Sequence, residues 1–87
     1  MTFTQTQAEH LFNQVSDMQE AMIRRGELHR SQAHEVADGR FTAAGQILIE
    51  CTCGRGQFRD SAEQSQGDYA LHVAQALDLR VTFGRAA

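Results

Sequence analysis

The sequence predicts an α+β domain in which a long N-terminal amphipathic helix packs on a small antiparallel sheet of two or three strands, with a C-terminal helix behind it. Three observations carry this reading. Apolar residues recur at helical steps through the first 26 residues, they alternate at the period of a strand from Gln46 to Cys53, and a capped helical segment follows Asp60. At 87 residues the chain buries about 60% of its unfolded surface and supports one core. Residues 1–87 are therefore read as a single domain: helix 1–26, an uncertain helix or loop 27–45, and a ββα(β) unit 46–87.

In the first helix Ala8, Leu11, Val15, Met18 and Met22 fall at steps of three and four, and Phe12 and Ile23 widen the stripe. Thr4 and Gln7 have the spacing of a capping box, with Phe3 placed as a hydrophobic staple on Ala8. Arg24 and Arg25 suit the negative end of the helix dipole, and Gly26 closes the last turn. Such a stripe normally docks on the chain's own core. A helix of this length spans about 30 Å, however, and would overhang a small sheet, so Leu11, Val15, Met18 and Met22 are also the expected surface of a homodimer.

Residues 27–45 are the least legible. Leu28, Ala33, Val36 and Ala37 suit a short helix stopped at Gly39, the favoured reading, whereas Asp38-Gly39 as a two-residue turn would make a hairpin instead. From Gln46 to Cys53 one face carries Ile47, Ile49, Cys51 and Cys53, the other Leu48, Glu50 and Thr52. Gly54-Arg55-Gly56 permits a reversal, and Gln57-Phe58-Arg59 is expected to return as the partner strand. A second helix should start at Asp60 or Ser61. Tyr69, Val73, Ala76 and Leu77 form its inward stripe, with Ala62 and Ala70 beside it, and Gly67 weakens its middle. Arg80-Val81-Thr82-Phe83 reads as an edge strand.

Composition narrows the function classes. A formal charge of -3 opposes general nucleic-acid binding, which needs a basic face to displace counterions. All basic residues are arginine, a bias that fits GC-rich coding. Ile47-Leu48-Ile49 is the longest apolar run, so no membrane span is expected, and the first residues lack the basic start and apolar stretch of a secretory signal. With two cysteines only, the expected setting is the cytoplasm.

Cys51 and Cys53, two apart on a strand, project their thiols to one side, and Gly54 lets the backbone turn closely around an ion. Zinc takes four ligands at roughly 2.0 to 2.3 Å. On the second helix Asp68 and His72 lie four apart on one face, giving a candidate set of Cys51, Cys53, His72 and Asp68, with His29 or His34 as alternative fourth ligands. Two other readings stay open. The cysteines serve as small buried hydrophobes and no cofactor is bound, which is the default, or they join in a strained, easily reduced disulfide. A Cys–His nucleophile pair would need an orienting third group and a pocket, so the chain is read as no enzyme.

The stretch Ile49-Glu-Cys-Thr-Cys-Gly, a spacer, and a helix carrying His72-Val-Ala-Gln-Ala-Leu resemble the small C-x-C-G proteins with a downstream H-V-A helix of actinobacteria and their bacteriophages. The resemblance covers roughly residues 45–78. It implies a zinc-finger-like ββα unit of phage or actinobacterial origin. This chain departs from the pattern in having Arg55 after the glycine, where that family often has a histidine or an aromatic residue, and Asp68 before the helix histidine. The functional expectation is a non-enzymatic protein-interaction module, a phage-encoded factor binding a host protein. Its rival is a zinc-stabilised nucleic-acid-binding regulator using Arg55, Arg59 and Arg80, with Arg85 close in sequence.

Overall fold

In the computed structural model, which describes residues 2–83, the N-terminal helix α1 (Gln5–Arg24) begins as its sequence predicts. The Gln7 N–H donates to Thr4 Oγ1 and the Thr4 N–H to Gln7 Oε1, both at 3.1 Å. Two orphan donors of the first turn are thereby satisfied. At the other end Gly26 has φ of 75°, and the Gly26 and Glu27 N–H groups donate to the carbonyls of Ile23 and Met22. This is a Schellman closure that a side chain would strain.

The apolar stripe of α1 lies against the C-terminal helix α2 (Ala62–Ala76), and α2 lies against strand β2 (Ile47–Cys51). Ala8, Leu11 and Val15 of α1, Tyr69, Ala70, Val73 and Ala74 of α2, and Cys51 of β2 form one buried cluster with Phe3. Leu11 and Val15 are thus spent within the chain, which corrects their assignment to an association surface. Of that set, Met18 and Met22 remain half-buried. Gly67 also has a role the sequence did not suggest. It is buried, and a Cβ there would overlap the Phe3 ring, so its missing side chain is what admits Phe3 to the core.

Strand β1 (Val36–Phe41) pairs antiparallel with β2, Gly39 opposite Ile49 and Phe41 opposite Ile47, with a bulge between Val36 and Asp38. Segment 27–45 is therefore a 3-10 turn (Arg30–Gln32) followed by this strand, and not the favoured short helix. The hairpin turn is not at Asp38-Gly39 either. It falls at 42–46, where Gly45 has φ of 85° and Thr42 bonds Gln46 through both its N–H and its hydroxyl. A hydroxyl and a left-handed glycine at the right separation outweighed the Asp-Gly pair.

Three further expectations change. The strand stops at Cys51 because Gly54, at φ of 92°, turns the chain with its N–H on the Cys51 carbonyl. The return strand at 57–59 is reduced to a single bridge between Ile47 and Arg59, so β1 takes the place of partner. Residues 80–83 form no strand; Thr82 is instead bonded to Gln14 of α1, its N–H donating to Gln14 Oε1 at 2.9 Å. In α2 the Ser61 cap is as expected, Tyr69, Ala70 and Val73 face inward, and Ala62 and Ala76 are exposed. The predicted α+β class holds, as two helices and a two-stranded antiparallel sheet.

Candidate metal centre

Cys51 ends β2, Cys53 lies in the turn after it, His72 sits on α2, and His34 lies in the extended stretch before β1. The sequence spreads these residues over three segments, and the fold returns them to one point. Their donor atoms all lie within 4.8 Å of one another. His34 Nδ1 is 3.2 Å from Cys51 Sγ, and His72 Nε2 is 3.2 Å from Cys53 Sγ. The two imidazoles meet edge to face with centroids 5.2 Å apart. In a zinc tetrahedron built with ordinary bond lengths, a sulfur and a nitrogen ligand are about 3.5 Å apart. The donor set is that of a four-coordinate Cys₂His₂ zinc site, and the two thiol–imidazole distances lie close to that edge length.

The fourth member of the cluster is His34, and its backbone is held from both helices. Gln19 of α1 takes its N–H at 2.7 Å and donates to its carbonyl at 2.9 Å. The Tyr69 hydroxyl of α2 donates to the same carbonyl at 3.0 Å. Gln19 is 6% exposed, a polar side chain in an apolar stripe with every hydrogen-bonding atom matched to one residue. The clamp sets where the His34 main chain sits, and the ring itself meets Cys51 and His72. Neither Gln19 nor Tyr69 was read as part of a site from sequence. The available signal was a glutamine four residues after Val15, where the helical stripe calls for an apolar side chain.

The electrostatics favour ligation on the imidazole side. His72 is pushed below the ordinary histidine value by burial, with the neighbouring His34 and Arg55 adding to the shift, so it is neutral at pH 7 and offers a free lone pair. Burial pushes the Cys51 thiol up. A bound cation reverses that effect, because it stabilises the thiolate directly. Tyr69 is raised to about 12 by burial and the nearby thiols and Glu35, and so remains the protonated donor that the His34 carbonyl requires. Both cysteines are free.

Asp68 does not join the donors. It is absent from the cluster, and its Oδ2 accepts from Arg59 Nε at 2.6 Å. His29 is exposed at the start of the 3-10 turn. Of the arginines expected to meet nucleic acid, Arg59 is committed to Asp68, while Arg55 and Arg80 are exposed. Arg85 lies outside the described residues. No helix of the described residues is long and apolar enough to cross a membrane. Comparison of the chain with protein-family models, with characterised proteins and with solved structures gave no match.

Proposed function

We propose that the protein is a small, non-enzymatic interaction module whose fold is closed by one zinc ion on His34, Cys51, Cys53 and His72. The observation that carries this reading is the convergence of two thiols and two imidazoles within 4.8 Å. A closed set of four protein ligands is the pattern of structural zinc, whereas catalytic zinc keeps a position for water. Here the ion would tie the stretch before β1, the end of β2 and α2 together. An 87-residue chain gains most from such a staple, because its core alone is marginal.

A thiol–imidazole nucleophile pair is the competing chemistry, since Cys53 and His72 are in hydrogen-bond contact. That reading leaves His34 and Cys51 unexplained, and no carboxylate among the described residues hydrogen-bonds to His72 to orient it. Nucleic-acid binding has less support than protein partnering. The net charge is -3, Arg59 is neutralised by Asp68, and exposed apolar residues such as Val36, Phe41 and Phe58 suit a protein surface better.

Cobalt titration under anaerobic conditions tests the site. One equivalent of Co²⁺ should give the intense visible absorption of tetrahedral thiolate coordination, with a sulfur-to-metal charge-transfer band, and zinc should bleach both. Weak absorption typical of octahedral cobalt, or none, would remove the site and with it the staple.

A further inference from the structure

Every residue of β1 is exposed, and Phe41 is 78% accessible. The strand pairs with β2 along one edge and, among the described residues, leaves the other open. Which backbone groups face that open edge follows from the hydrogen bonds. Thr42 donates to the Gln46 carbonyl at 3.0 Å, so alternation makes Arg40 and Leu48 a hydrogen-bonded pair and Phe41 and Ile47 a non-bonded one. In agreement, Ile47 spends its N–H and carbonyl on Arg59, on the far side of β2, at 2.7 and 2.8 Å. Gly39 and Phe41 therefore direct their backbone groups outward. The Gly39 N–H is met there by the carboxylate of its own neighbour, Asp38, at 2.9 Å.

We propose that β1 is a homodimerisation edge, on which two copies of this chain pair antiparallel about a two-fold axis at Gly39 and place Asp38 of each copy opposite Arg40 of the other. The order of the strand, Val36-Ala37-Asp38-Gly39-Arg40-Phe41, selects the second copy as the occupant. A two-fold axis between antiparallel neighbours in one sheet stands perpendicular to the sheet and keeps each side chain on its own face. It must then set one residue opposite itself. Centring on Asp38 opposes two carboxylates, and centring on Arg40 opposes two guanidinium groups, both unfavourable. Centring on Gly39 makes two Asp38–Arg40 pairs.

These pairs fall at non-bonded positions, where facing side chains are closest, while the two Gly39 residues exchange N–H and carbonyl. The Gly39 N–H then trades its Asp38 contact for a backbone acceptor and frees the carboxylate for Arg40 of the second copy. Phe41 comes to face Ala37 and lies diagonal to Gly39 of the second copy, where the missing side chain leaves room for the ring. Asp38 and Arg40 already pair within each strand at 2.9 Å, and Glu50 stands 3.9 Å from Arg40, so the interface would carry an alternating row of charges.

The test is sedimentation equilibrium of the zinc-loaded protein with a phosphine reductant, comparing wild type, Asp38→Arg and the charge swap Asp38→Arg with Arg40→Asp. The wild type should dimerise, the single change should weaken the dimer by about tenfold or more, and the swap should restore it. Both positions are exposed, so the fold is not at stake, and the restored dimer would itself report a folded variant. A monomeric wild type, a dimer indifferent to Asp38→Arg, or a swap that fails to restore association would each overturn the proposal.

Discussion

Zinc at a thousandfold excess over its dissociation constant is expected to raise the melting temperature of the wild-type chain on the order of 20 °C. The reasoning is one of linkage. A ligand bound only by the native state stabilises by about 4 kcal/mol at that excess, and each kcal/mol moves the midpoint of a domain this size by about 4–8 °C. The site exists only when β2, the turn after it, the stretch before β1 and α2 are in place, so the unfolded chain offers the same four residues without their geometry. His72→Ala and Cys53→Ser should abolish most of the increment while changing the metal-free midpoint little. The reason is that His72 is half-buried and Cys53 exposed, so their loss opens no core cavity. Cys51 is unsuited to this comparison because it is 1% exposed and belongs to the core. Differential scanning calorimetry with and without zinc checks the prediction. A full zinc increment in His72→Ala would show that the imidazole is not a ligand.

Leu11→Ala is expected to cost about 3 kcal/mol, read from the urea midpoint at unchanged slope. Leu11 is fully buried where α1 meets α2, so truncation removes its transfer energy and leaves a cavity that two packed helices cannot close. Met18→Ala and Met22→Ala should cost about 1 kcal/mol each, because these side chains are only half-buried and regain less on folding. The contrast separates two uses of one stripe. If α1 were mainly an association surface, the methionines would carry the larger loss and the cost would depend on protein concentration. With stabilities of small domains near 5–15 kcal/mol, the Leu11 change alone removes a substantial part.

The elements with local signals were legible. Thr4 with Gln7, Gly26, and Ser61 each specify a helix end through hydrogen bonds made within a few residues, and the alternation from Ile47 to Cys51 specifies a strand. What failed depended on contacts distant in sequence. Val36–Phe41 has no buried residue and so no hydrophobic alternation; it is a strand because β2 offers it an edge. Gly67 reads locally as a weak point in a helix and is needed for Phe3, which arrives from the other end of the chain.

The site shows the same division. Cys51, Cys53 and His72 were legible from type and spacing, and His34 was one of two alternative fourth ligands. Asp68 shares a helix face with His72, and helical spacing alone could not show that Arg59 would claim it. The preference for His34 over His29 comes from Gln19 and Tyr69, on two different helices, and no local pattern encodes that clamp.

The central claim, a structural zinc on these four residues, is most directly tested by native mass spectrometry of the chain purified without chelator. The account predicts one zinc per chain, removed by a chelator to leave a metal-free chain of lower melting temperature, and absent from His72→Ala. A folded wild-type chain that carries no metal and takes up none on addition of zinc would contradict it.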